Sequence, residues 1–129
     1  MASELRVDTL KDSAGNNSVG MTNVAEGSAK LWTSFANTSG TPSALQSHNQ
    51  SSITDSGTGH YGINFTNSFT NNEYSAQTTS SAENSYGGVA VVDLGNMTAS
   101  QLRFYTCNNN SSAVGDFDRN NAQAHGDLA

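Results

Sequence analysis

The sequence predicts an all-β fold, an antiparallel β-sandwich or barrel-like knob, on three observations. First, short runs with an apolar residue at every second position recur along the chain, the pattern of strands with one buried face. Second, the clearest of these runs is tied to a turn. Tyr61, Ile63 and Phe65 share one face, and His60, Gly62 and Asn64 the other. Just before them, Asp55-Ser56-Gly57-Thr58-Gly59 supplies two glycines for positive-φ positions. That makes a hairpin, with Ile53 as the apolar end of the incoming strand. Third, roughly six to eight such runs follow one another at intervals of about ten residues, with polar turns between them. No fixed-period repeat is present, which disfavours a solenoid.

Composition sets the limits. The chain of 129 residues fits one domain. Charged residues make up only 12% and hydrophobic residues 34%, against about 25% and 45–50% (the latter counting glycine) in ordinary domains. Disorder normally comes with high charge and many prolines. Here charge is low and Pro42 is the sole proline, so the reading is an ordered, polar, β-rich protein with a thin core. A thin core favours oligomerisation as a way to bury the remaining apolar surface.

The net charge of -6 and pI near 4.6 argue against nucleic acid and anionic membranes as partners. Cys107 is the only cysteine, so no intrachain disulfide is expected. The start, Met1-Ala2-Ser3-Glu4-Leu5-Arg6, carries no apolar run of signal-peptide type. No stretch has the roughly 20 apolar residues of a membrane span. Synthesis in a cytoplasm is expected, with the protein left there or carried out by something other than secretion, assembly into a virus particle being one such route.

In chain order, Leu5 and Val7 alternate with Arg6 and Asp8 and predict a short strand, with a helix over Leu5 to Lys11 as the competing reading. Gly15-Asn16-Asn17 turns the chain. Residues 18–28 read as a linker or weak strand, so residues 1–28 form an attachment or assembly arm and 29–129 a β-rich knob. From Ala29 to Phe35 a strand puts Leu31, Thr33 and Phe35 on one face. Lys30 and Trp32 take the other, and Trp32 is expected in the core or a subunit interface. Residues 36–43 read as loop, and 44–51 as a short strand or turn. After the hairpin, Phe69 and Tyr74 are expected to be buried around an Asn71-Asn72 turn. Tyr74, Ala76 and Thr78 would continue a strand, and residues 79–87 form a polar loop. Gly88 to Leu94 is the most hydrophobic strand-like run. Thr98 to Cys107 is the next strand, with Leu102 and Phe104 opposite Arg103, Tyr105 and Cys107. Val114 and Phe117 punctuate the end, and alanines alternate with polar residues in a last strand over residues 120–126.

Candidate chemistry is sparse. His48, His60 and His125 are isolated, with no His-x-His or His-x-x-x-His pair to seed a zinc site. His125 alone would form a cluster if three copies met at an axis. Cys107 has no evident activating partner and reads as a small buried hydrophobe. Asp55, Glu73, Glu83, Asp93, Asp116, Asp118 and Asp127 are scattered and read as solvated turn carboxylates. Asp116-x-Asp118 lacks the repeated oxygen pattern of a calcium loop. Gly57-Thr58-Gly59 lacks the Lys and helix of a phosphate-binding loop. The sequons at Asn16, Asn37, Asn49, Asn64, Asn96, Asn109 and Asn110 are expected from a chain this rich in Asn, Ser and Thr. No catalytic residue, cofactor or metal ligand is assigned. For a sugar-binding module, Trp32, Tyr61, Tyr86 and Tyr105 would be the platforms.

Several of these segments also resemble a known family. Ala29-Lys30-Leu31-Trp32-Thr33-Ser34-Phe35, the run from Ser52 to Phe65, Phe69, Tyr74, Leu102-Arg103-Phe104, Phe117-Asp118 and Gly126-Asp127 are similar to a domain of tail-fibre and virion appendage proteins. The domain occurs in tailed bacteriophages, notably marine and cyanobacterial ones. The resemblance covers roughly residues 29–127. Ser3-Glu4-Leu5-Arg6-Val7-Asp8-Thr9-Leu10 resembles the start of many such fibre proteins. It implies a β-rich homotrimer with no catalytic residues. Two features depart from the pattern. The last strand carries Asn121, Gln123 and His125 where such domains tend to be apolar. The chain, short and starting at Met1, is expected to be a knob with an arm, not a whole fibre.

The expectation is therefore a non-enzymatic bacteriophage virion structural protein, a trimeric knob whose arm docks on another tail or capsid protein. A host surface glycan is a further partner, and nucleic acid and membrane are excluded. Capsid decoration and a carbohydrate-binding module are the alternatives.

Overall fold

A computed structural model describes residues 3, 5–81 and 88–129. Two four-stranded antiparallel sheets pack face to face, as expected for a sandwich. In the body, β3 is Leu31–Thr38, β4 Thr41–His48, β5 Gln50–Asp55 and β6 His60–Phe65. They are followed by β7 (Ser75–Ser81), β8 (Gly88–Val92), β9 (Gln101–Asn108) and β10 (Arg119–His125). The first sheet runs β4-β3-β10-β7 and the second β5-β6-β9-β8. Hairpins join β3 to β4 and β5 to β6, while β4 to β5, β6 to β7 and β9 to β10 cross between sheets.

Alternation decides the core. Leu31 and Phe35 of β3 and Ala122 and Ala124 of β10 face inward from the first sheet. Tyr61, Ile63 and Phe65 of β6 and Leu102 and Phe104 of β9 face them from the second. The alanines of β10 lie in the middle of their sheet, opposite large residues, where small side chains let the layers approach. Phe35, Tyr61 and Phe104 form an aromatic trio with centroids 5.1–6.1 Å apart. At one end Phe65, Phe69 and Tyr74 form a second trio, 4.4–5.6 Å apart. Tyr74 closes it by donating to the carbonyls of Gln101 at 2.9 Å and Thr98 at 3.2 Å.

The hairpin over β5 and β6 has the register Ile53 opposite Ile63 and Asp55 opposite Tyr61. Its turn depends on Gly59 (φ +69°), where a Cβ would stand 2.7 Å from the Thr106 carbonyl oxygen and 2.9 Å from the Gly115 nitrogen. Asp55 Oδ1 accepts the Gly57 N–H at 2.9 Å and fixes the start of the turn.

Several expectations change. The strand pairing in the arm is β1 (Thr9–Lys11) with β2 (Ser18–Gly20), so Leu5 and Val7 lie outside it. The turn between them is made by Asp12, whose carboxylate accepts from Asn16 N, Asn17 N and Asn17 Nδ2 at 2.7–3.3 Å, with Gly15 at φ +72°. Those bonds hold the Asp12 carboxyl below its ordinary range, the Asn17 side-chain bond foremost. Residues 21–27, expected as linker, are a short helix, α1 (Met21–Gly27), with no buried residue. The expected loop at 36–43 is mostly strand. It turns only at Ser39 (φ +60°) and Gly40 (φ +76°), and Pro42 sits inside β4. An edge strand tolerates a proline because one side of it needs no hydrogen-bond donor. Among the described residues there are ten strands where six to eight were expected, eight of them in the sandwich. The polar loop begins later than residue 79, since β7 runs to Ser81. The rest of it, with Glu83 and Tyr86, lies outside the described residues.

Candidate functional site

The outer face of the first sheet carries the most organised surface group. Register places His48, Trp32, Gln123 and Gln77 side by side across β4, β3, β10 and β7. The next outward row is Gln46, Ser34, Asn121 and Thr79. These side chains point outward because Leu31, Thr33 and Phe35, and Ala122 and Ala124, are the inward set of the same strands. Trp32 is 43% exposed, and its ring stacks on His48 with centroids 6.5 Å apart and planes 19° from parallel. Gln123 Nε2 donates to Gln77 Oε1 at 2.8 Å, and Asn121 Nδ2 to Thr79 Oγ1 at 3.2 Å. Between the Trp32 ring and these amides runs a groove of about 360 Å3 with no charged residue in its lining.

The outer face of the second sheet differs. Val91, Tyr105 and His60 form one row, and Val89, Cys107 and Val114 a second. Val89 is 41% and Val114 46% exposed. Further along, Gln101 Nε2 donates to Asn64 Oδ1 at 2.7 Å, and Asn64 Nδ2 donates to Ser52 Oγ and Thr54 Oγ1. Gly62 makes room for that chain. A Cβ there would lie 2.8 Å from Gln101 Nε2.

The residues singled out by sequence are dispersed. Trp32 does not enter the core. Of the proposed sugar platforms, Tyr61 is fully buried and is withdrawn, and Tyr105 lies on the sheet opposite Trp32. Cys107 is half-buried on an outer face and is not a core residue, because its strand position alternates with buried Thr106. Asp116 is more than a solvated turn carboxylate. Its Oδ1 accepts the Gly59 N–H at 2.7 Å and the Tyr61 hydroxyl at 2.8 Å. His48 stacks on Trp32, His60 lies 5.9 Å from Tyr105 by ring centroid, and His125 pairs with Ser75 at the end of β10. Among the described residues, no three His, Cys, Asp or Glu side chains come together as a metal site, and no helix is long and apolar enough to cross a membrane.

Sequence reasoning missed Gln77, Asn121 and Gln123. Each reads alone as a surface residue, and only the β3-β10-β7 adjacency aligns them. The fold defines the class: an antiparallel β-sandwich with one polar-aromatic face and one partly apolar face. Comparison with models of protein families, with curated proteins and with solved structures found no match.

Proposed function

We propose that the chain is a non-enzymatic structural component of a bacteriophage virion, a homotrimeric β knob on the particle surface in a tail-fibre-type attachment or adaptor role. The observation that carries this reading is where the exposed apolar side chains sit. Val89 and Val114 flank Cys107 on the outer face of the second sheet, a surface suited to contact between copies. Leu5, Leu10 and Val19 are exposed on the arm, at 80%, 43% and 38%. An arm with its own hairpin and no buried residue among its described residues suits docking on another virion protein by strand addition. The resemblance of the stretches around Trp32 and from Ser52 to Phe65 to phage appendage domains supports the same class.

Sedimentation equilibrium of the purified chain tests the assembly. A species of three times the 13.5 kDa protomer is expected, and Val89→Asp with Val114→Asp should dissociate it. A wild-type monomer at all concentrations would overturn the trimer. Quantitative mass spectrometry of the source particle tests location, since hundreds of copies would favour capsid decoration over a tail position.

A further inference from the structure

We propose that the outer face of the β4-β3-β10-β7 sheet binds an uncharged glycan, with a sugar ring laid against Trp32 and its hydroxyls bonded to Gln77, Asn121 and Gln123. Three features point to that occupant. The first is charge. The chain carries 11 acidic residues, yet the groove lining holds none, and no Lys or Arg either. A phosphorylated, sulfated or carboxylated ligand would find no counter-charge there. A neutral polyhydroxylated one meets only groups of matching polarity.

The second is hydrogen-bonding capacity. A primary amide offers two donor hydrogens and an acceptor oxygen with two lone pairs. The Gln123–Gln77 bond uses one donor and one acceptor site while fixing both side chains across the strands. The Asn121–Thr79 bond does the same one row away. Capacity remains on the three amides and on the Thr79 hydroxyl, and their orientation is set before a ligand arrives, which lowers the ordering cost of binding.

The third is the aromatic surface. Trp32 is held by His48 on one side and borders the groove with a large apolar face. An apolar ring beside oriented amides matches a sugar, which has apolar C–H faces and a polar rim. A second copy of the chain fits less well. It would have to desolvate Gln77, Asn121, Gln123 and Ser34 together, whereas the valines suited to self-contact lie on the other sheet.

This inference deepens the surface-knob reading, but its test is read separately from assembly. Trp32 is the only tryptophan, so its emission reports on this groove alone. The intact chain is screened on an array carrying both neutral and acidic glycans, then titrated with glucose-, galactose-, mannose- and N-acetylglucosamine-based oligosaccharides. Saturable binding with a blue shift of the Trp32 emission is expected. Trp32→Ala should abolish capture on the array. Trp32→Tyr should retain part of it. Gln123→Ala should weaken it about tenfold, the worth of one to two hydrogen bonds. Thermal melts establish that each variant is folded.

A silent array, binding undiminished in Trp32→Ala and Gln123→Ala, or capture restricted to acidic glycans would overturn the proposal. So would an oligomer that shields Trp32 from acrylamide quenching and falls apart in Trp32→Ala, because the groove would then belong to a second copy. A monomer that binds the glycan through Trp32 would sink the trimer and leave this site standing.

Discussion

The Tyr61 hydroxyl donates to Asp116 Oδ1 at 2.8 Å from a fully buried ring, across 55 residues of chain. The same hydroxyl accepts from Asn37 Nδ2 at 2.6 Å, so one phenol ties β6 of the second sheet to β3 of the first and to the loop before β10. Tyr61→Phe keeps the ring packing but strands the buried Asn37 amide. A loss of about 1–3 kcal/mol in unfolding free energy is expected by urea titration. A change within experimental error would mean that Asn37 finds another acceptor.

Alkaline pH should act through the same ring. Burial pushes the Tyr61 phenol far above the ordinary value of about 10, with Asp116 adding to the rise and the Asn37 bond opposing it. Burial does the same to Tyr74. Below about pH 10 both states hold these protons and the contribution is complete. Above it the unfolded chain releases protons that the folded chain keeps. Stability therefore falls with rising pH, until the folded phenols themselves ionise. The slope is about 1.4 kcal/mol per pH unit for each tyrosine. Chemical denaturation across that range should show the decline, and Tyr61→Phe should roughly halve its slope.

Glycines at the hairpin should separate by what surrounds them. Gly59→Ala meets backbone atoms at 2.7–2.9 Å as well as a positive φ. Its cost should exceed the roughly 1–2 kcal/mol of left-handed strain alone. Gly57, at φ +114° with open space around it, should show the conformational cost only. Gly62→Ala displaces only the mobile end of Gln101. The lost Gln101–Asn64 bond is offset by alanine's advantage over glycine in a strand, so a net change under about 1 kcal/mol is expected. Melting curves of the three variants rank them directly.

Phe35→Ala removes the central ring of the trio with Tyr61 and Phe104. A fully buried phenylalanine deletion costs about 3–5 kcal/mol, which is a large share of a typical domain's stability. Loss of cooperative unfolding, or of soluble expression, is the expected result. Phe35→Leu should be milder.

Removal of residues 1–28 should leave the sandwich intact. The helix Met21–Gly27 has no buried residue and β1 is exposed throughout. The backbone bond from Lys30 N to the Ala124 carbonyl, at 2.8 Å, lies beyond the cut. An unchanged melting temperature is expected, together with loss of incorporation into particles if the chain is the virion knob proposed above. A fall of many degrees would show that the arm is part of the core.

Much of the sandwich was legible because its strands alternate. Tyr61, Ile63 and Phe65, or Leu102 and Phe104, announce a buried face in five residues or fewer. Where alternation fails, so did the reading. β4 is an edge strand exposed on both faces, with a bulge beside Leu45, so it shows no apolar rhythm. The helix Met21–Gly27 begins at Gly20, which has no side chain to cap it, and carries no acidic residue in its first turn. The usual start signals are missing. Trp32's outward direction was readable from Leu31 and Phe35. Its neighbours were not, since Gln77 and Gln123 lie 45 and 91 positions away and reach it only through the strand order.

That order has a temporal side. The strand Arg119–His125 occupies an interior place between two strands made much earlier. During synthesis, Leu31–Thr38 and Ser75–Ser81 stay unjoined until this strand leaves the ribosome. A nascent chain stalled before residue 119 would hold one sheet split down its middle, so the sheet can close only once residues 119–125 have been made.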